Sequence, residues 1–409
     1  MKSRVTGCAA VTGSAEASAK ITLPYLRKEY FMPLTKSDFR SFFSVCLLAA
    51  LPAAPIAAYA ADMIVVGRSL ALSGPLKGYG EAKRDGGDAY INKINAAGGV
   101  GGRKIELVTL DDVYTPATTV ENLKKISAER NPTAFLGLFG VPTVAAALPV
   151  LLELKVPAIG LTSGTDALRT PLNRYAFPVR ASYADEARKL VNHVKTVNIT
   201  KASVIYSSNP FGESVKNTLL TALKDAGINA KTYKVDPTGA DAAESARQAN
   251  TDAPQAIFMT MLSQAAIPVL TEVKKTSFRG ALYTFSPVDT TAITKQLGEK
   301  ANGLAITQVV PIPSGVRIKV VSEYVQALTE LGRGTPSFYG LEAYIEAKVM
   351  VEGLKRAGAN PTPASLVKSL ETLRDFDLGG YYVTYTPDAH TGSLFVDVNV
   401  INSYGEVKR

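Results

Sequence analysis

Few groups in this 409-residue chain have the types and spacing that chemistry requires. The run Gly98-Gly99-Val100-Gly101-Gly102-Arg103-Lys104 invites a phosphate-loop reading. It lacks the G-x-x-x-x-G-K-[ST] spacing, and its glycines follow a helical pattern rather than a strand, so a helix C-cap and tight turn is expected. Asp111-Asp112 ends a strand pattern; a metal or acid–base pair is one reading, and capping and loop hydrogen bonding is the favoured one. His193 and His390 are far apart in sequence, and no His/Cys cluster has metal-ligand spacing, so neither metal nor cofactor is expected. No G-x-S-x-G or H-E-x-x-H motif occurs, and nothing positive points to an enzyme. Two loops can bind an anion instead. Gly140-Val141-Pro142-Thr143 leads into a helix, with Thr143 as a cap and backbone N–H groups free for a carboxylate. Leu161-Thr162-Ser163-Gly164-Thr165 supplies hydroxyls, N–H groups and a glycine that allows close approach.

These loops need strands to position them. Short apolar runs at 64–66, 105–110, 134–139 and 158–160 alternate with helical patterns. A second series follows at 203–206, 230–233, 256–259, 281–284 and 304–307, with helices expected at 144–154, 184–197, 213–226 and 266–276. The stretch from Ile64 to Asp112 reads as a βαβ unit, right-handed, with ligand-binding loops at the strand C-terminal ends. Strands alternating with helices give parallel sheets covered on both faces, and two such series give two α/β lobes. Tyr79 and Phe211 lie in Gly/Pro-rich stretches rather than apolar runs, which favours site over core; Tyr339 lies in a helical pattern and could be either. In Arg180-Ala181-Ser182-Tyr183-Ala184-Asp185-Glu186, Ser182 suits an N-cap and Asp185 or Glu186 the first helical turn, while Tyr183 can face a cleft.

Composition is that of an ordinary folded protein, 46% hydrophobic and 20% charged, with length for two or three domains. Of 45 Lys/Arg and 36 Asp/Glu, seven and three precede Ala61, leaving 38 against 33. That excess is scattered, which disfavours nucleic-acid binding. Both cysteines, Cys8 and Cys46, also precede Ala61. Lys36 and Arg40, an apolar run from Phe42, and Ala58-Tyr59-Ala60 have the layout of a cleaved secretory signal, with Met32 as its natural start. Residues 1–60 are therefore set apart from the fold, and the rest is expected in the periplasm. Cys46 lies inside the apolar run, so a lipoprotein anchor is the minor reading.

Ser73-Gly74-Pro75, Tyr79-Gly80, Ile94-Asn95-Ala96-Ala97-Gly98-Gly99, Gly102-Arg103-Lys104-Ile105 and Asp111-Asp112, in this order and spacing, resemble the start of the leucine-binding family of periplasmic proteins, which serves ATP-binding-cassette (ABC) importers. Further matches run to about Tyr344. The resemblance implies a type I periplasmic binding protein fold, two doubly wound parallel-sheet lobes joined by a three-strand hinge. Lobe 1 would hold residues 61–178 and 310–388, and lobe 2 residues 179–309 and 389–409. It implies that Val141, Pro142, Thr143, Thr162, Ser163 and Gly164 form a carboxylate clamp, with Val141 where many members carry a hydroxyl. It implies that Tyr79, Tyr183, Phe211 and Tyr339 face the ligand. Ser286 stands where amino-acid-binding members carry an acid for the ammonium, with Asp289 three residues on. The expected function is therefore a monomeric importer component that closes over an amino acid or related small carboxylate and docks on a membrane permease. An amine-free or aromatic organic acid is the alternative ligand, and a sensor presenting its ligand to a receptor is the alternative role.

Overall fold

The computed structural model describes residues 63–314 and 317–409; the signal-like segment, its cysteines and the Met32 start lie outside them. In the first lobe, β1 (Ile64–Leu70), β2 (Ile105–Asp111), β3 (Ala134–Leu136), β4 (Ala158–Ile159) and β5 (Ala176–Phe177) form a parallel sheet of order β2-β1-β3-β4-β5. In the second, β6 (Lys201–Ser207), β7 (Asn229–Val235), β8 (Ala256–Thr260), β9 (Ala281–Thr284) and β10 (Leu304–Gln308) repeat that order as β7-β6-β8-β9-β10. The repeated order reverses direction beside β1 and beside β6, the switch points at which loops gather at the strand C-terminal ends. A short antiparallel sheet, β11 (Phe376–Asp377), β12 (Tyr382–Thr386) and β13 (Ala389–Gly392), lies between the lobes. The chain then returns to add antiparallel β14 (Asp397–Ile401) and β15 (Val407–Lys408) to the second sheet. The expected doubly wound α/β architecture is present, with the second sheet mixed rather than purely parallel.

The helices are α1 (Lys77–Ala96), α2 (Pro116–Arg130), α3 (Val141–Leu154), α4 (Tyr183–Thr196), α5 (Pro210–Asp225), α6 (Ala242–Asn250), α7 (Ser263–Lys275), α8 (Thr290–Leu297), α9 (Lys319–Leu331), α10 (Phe338–Arg356) and α11 (Pro363–Leu370). Each sheet has an apolar core on both faces, which is why strands such as Ala256–Thr260 are buried along their whole length. Helix α1 packs on α10 so closely that a Cβ on Gly86 would stand 2.0 Å from the Gly340 carbonyl oxygen. Only glycine allows that approach, and it brings Tyr79 and Tyr339, in the first turns of the two helices, side by side. As expected, the 98–103 glycines end α1 in a turn closed by a Val100–Arg103 bridge.

Two tyrosines of the small sheet tie the crossings together. Tyr381 donates to the Val309 carbonyl at 3.1 Å and Tyr385 to the Pro178 carbonyl at 2.9 Å. Strand β13 stays with the first lobe: His390 stacks on Phe177 at 3.9 Å, and its Nδ1 lies 2.9 Å from the Ala176 carbonyl. With Nδ1 protonated, the Nε2 lone pair faces the Glu371 carboxylate at 3.5 Å. Burial holds the imidazole below its ordinary value. The unfolded chain thus binds this proton more readily than the folded one, so the stability His390 contributes is complete above about pH 6.5 and lost as the pH falls through that value. Urea unfolding at pH 7.5 and 5.5 should show a larger loss in the wild type than in His390→Asn; equal losses would remove His390 as the cause.

Candidate functional site

The loops after β1, β3 and β4 face the loops after β6, β8 and β9 across a cleft, and aromatic rings fill its first-lobe side. Tyr79 stacks on Phe139 at 5.3 Å and meets Tyr339 edge-on at 4.9 Å, and Tyr114 leans on Phe139 at 5.5 Å. Tyr79, Phe139 and Tyr339 are buried, with Leu262 of the second lobe packed against them. The tyrosine hydroxyls cross the cleft. Tyr79 Oη donates to the Pro287 carbonyl at 3.3 Å and lies 2.9 Å from Ser263 Oγ; Tyr339 Oη donates to the same carbonyl at 3.0 Å. Burial, with the nearby Asp289 carboxylate, pushes the Tyr79 phenol up to about 12, so it stays protonated and able to donate. Ser263 Oγ also accepts from the Asp289 N–H at 2.7 Å, which fixes the serine between the two lobes. Beside Tyr79 and Tyr339 a cavity of about 220 Å³ runs between the lobes, bounded also by Glu81, Tyr324 and Asp289.

Phe139 and Tyr114 carry no motif, and the sequence reading missed both. The one local signal is Asp111-Asp112. As favoured, this pair is a loop brace: Asp111 accepts from the Leu72 and Val113 N–H groups, and Asp112 from Ser69, Thr119 and the Tyr114 N–H. That brace holds Val113 and Tyr114 at φ 51° and 59°, a left-handed stretch unusual for such residues. It lays the Tyr114 ring over Gly140, where a Cβ would stand 2.2 Å from the ring.

Tyr79 and Phe211 are not loop residues, as expected from their Gly/Pro surroundings, but first-turn helical ones. Gly80 and Gly212 beside them serve close packing: a Cβ would stand 1.9 Å from the Ala71 carbonyl oxygen and 2.1 Å from that of Ser207. Val141 opens α3 after Gly140, which is the N-cap, and packs with Tyr183 and Phe211 in the second lobe's core. Thr143 does not cap the helix. Pro142 at the second helical position shifts the start back from 144, and the Thr143 hydroxyl turns back to the Phe139 and Gly140 carbonyls. Thr162 also faces inward: its hydroxyl accepts from Lys83 Nζ and donates to Glu346 at 2.9 Å. Ser163 is buried with its Oγ 3.4 Å from the Thr165 N–H, and the Gly164 carbonyl accepts from the Tyr183 N–H at 2.7 Å.

A charged floor underlies the cleft. Arg180 lies 5.4 Å from the Tyr183 ring and donates to Glu186 at 2.6 Å and Ser286 at 2.5 Å. Glu186 also accepts from the Ser286 N–H and hydroxyl and from Thr307. Thus Ser286 and Glu186 serve one buried network. Asp185 completes the capping box with Ser182, as its position suggested, and Asp289 caps α8. Below, Lys83 pairs with Glu346 at 2.8 Å; burial pushes that carboxyl up to about 7, against the pull of Lys83. None of Arg180, Lys83 or Glu346 announces itself in sequence, because a charged residue in a helical pattern, as Lys83 and Glu346 are, or in a connection, as Arg180 is, normally marks a solvated face.

A sequence model described as periplasmic binding protein matches residues 63–398. The chain belongs to that family. A Leu/Ile/Val-binding protein homolog 7 of Brucella abortus is 26% identical over 341 residues, 79% of this chain and 84% of its own length. The crystal structure of an extracellular ligand-binding receptor from Verminephrobacter eiseniae superposes with a TM-score of 0.79 at 26% identity, over 85% of this chain and 100% of that one. A branched chain amino acid ABC transporter structure from Thermus thermophilus with bound valine shares the fold alone, with a TM-score of 0.78 at 16% identity over 85% and 94% of the two chains. No described helix of this periplasmic binding protein is long and apolar enough to cross a membrane. Among the described residues, no His/Cys/Asp/Glu group is arranged to hold a metal ion.

Proposed function

We propose that this binding protein is the extracytoplasmic component of an ABC importer and closes over a small carboxylate of the amino-acid class. The observation that carries the reading is the pair of tyrosine hydroxyls, Tyr79 and Tyr339, from separate first-lobe helices, that meet Pro287 of the second lobe. Such bonds form only when the lobes shut, so ligand capture and closure become one event. The first-turn N–H groups of α3 have no intrahelical partner and suit a carboxylate, as does the Ser163 hydroxyl. The Leu/Ile/Val-binding relative supports the ligand class. In this reading a leader ending near Ala60 is removed on export, the closed monomer docks on a membrane permease, and no covalent chemistry takes place. A second reading, an aromatic or other amine-free acid, is favoured by the phenol-rich wall and by Ser286, whose partners are already Arg180 and Glu186.

A thermal-shift panel of amino acids and their 2-oxo analogues tests the class. At a hundredfold excess over its dissociation constant a ligand stabilises by about 2.7 kcal/mol. Failure of every small carboxylate to raise the melting temperature would reject the function. For a ligand found this way, Tyr79→Phe with Tyr339→Phe should weaken calorimetric affinity by about 1–3 kcal/mol, two net hydrogen bonds. Unaltered affinity would mean that these bonds contribute nothing to capture.

A further inference from the structure

Helix α10 carries Tyr339, Glu342 and Glu346 at successive turns of one face. Tyr339 stands at the cleft and Glu346 in the first-lobe core, so Glu342 lies between them. It is 3% exposed, and its Oε1 has no hydrogen-bond partner. Its charge acts on Arg180, Tyr183, Tyr339 and Tyr381, the side chains of the cleft floor and hinge. The two nearby cations are already paired, Lys83 with Glu346 and Arg180 with Glu186. Arg180 feels Glu342 as well as Glu186, but its hydrogen bonds go to Glu186 and Ser286. Glu342 Oε1 has the field of a shared cation and no direct donor, and a buried acceptor left without a donor is costly. The carboxylates Glu186 and Glu346 each accept two or more bonds; Glu342 Oε1 accepts none.

Resting on the proposed capture of a small carboxylate, we infer that Glu342 is the specificity residue for a cationic group: it accepts the ammonium of an amino-acid ligand from the first-lobe side. The position that Ser286 occupies then needs no acid. Opening withdraws Pro287 from Tyr339 and Ser286 from Arg180, which bares this face of α10. A ligand ammonium entering there supplies the donor that Oε1 lacks, and an amine-free acid adds a second negative charge beside Glu342.

The test compares leucine with 4-methyl-2-oxopentanoate, and phenylalanine with phenylpyruvate, by calorimetry on wild type and Glu342→Gln, with far-ultraviolet circular dichroism to check the fold. The wild type should favour the amine member of a pair by about tenfold or more, and the variant should lose that preference while holding the oxo acid as well or better. An unchanged ratio in the folded variant overturns the inference and leaves the proposed function standing, as does a wild type that binds oxo acids alone. Where neither member of either pair binds, the full panel of amino acids and oxo acids supplies the pair; failure of the whole panel overturns both. If Glu342→Gln does not fold, Glu342→Asp should retain the amine preference at reduced strength, and an Asp variant favouring the oxo acid overturns the inference.

Discussion

Replacing Lys83 with methionine should lower the unfolding free energy by about 3–5 kcal/mol, the cost of removing one partner of a buried pair. The side chains of Lys83 and Glu346 are each 1% exposed. The ammonium meets both carboxylate oxygens, at 3.0 and 2.8 Å, and the Thr162 hydroxyl. Removing it leaves Glu346 dry, without its donor and beside Glu342, whose negative charge already works against its ionisation. The carboxyl must then either hold an uncompensated charge or take up a proton. The triple variant Lys83→Met, Glu346→Leu, Thr162→Val removes every member of the network and should recover most of the loss, because well-packed apolar replacements of an ion pair are often neutral. Urea titration followed by circular dichroism measures both, since the chain contains no tryptophan. A single variant within about 1 kcal/mol of wild type would show that the pair contributes little; surface pairs show that small size.

The Arg180→Met variant should lose a similar amount, again about 3–5 kcal/mol, and it should also alter the cleft. Arg180 is 2% exposed and sits where the chain first crosses between lobes. Its removal strands Glu186 and takes away a positive charge that also interacts with Glu342, so two carboxylates lose support together. Adding Glu186→Gln should restore part of the stability, since the amide oxygen in the place of Oε2 still accepts from the Ser286 N–H and the Thr307 hydroxyl but carries no charge. Loss of stability that is unaffected by the second change would place the effect in packing against Tyr183 rather than in charge.

Much of the architecture was legible along the chain. Both strand series were found, and the missed stretches were short or late: β5 spans two residues, and β11, β12 and β13 form a small sheet that reaches the core only through short alternating stretches such as Val383 and Tyr385. The loops expected to clamp a carboxylate lie at the ends of β3 and β4, as their place in the sequence implied, but the direction of their side chains was not legible. Thr162 and Thr143 were read as facing a ligand because hydroxyls at strand ends and helix starts can do so. The folded chain turns one to a lysine 79 positions away and the other to its own backbone.

Hydrophobic periodicity, Gly/Pro punctuation and the motif order from Ser73 to Asp112 determined the fold class, the family and the loops that face the cleft, because these signals are local and repeat at the period of each element. Tertiary structure alone decided the rest. Lys83 of α1, Arg180 and Glu186 of the first crossing, and Glu342 and Glu346 of α10 come from three separate stretches of the chain, and their types favour a wet surface. Only the packing of α1 on α10 and the crossing at Arg180 exclude water from them, and that exclusion turns five ordinary charges into two hydrogen-bonded pairs and one carboxylate with an oxygen that has no donor.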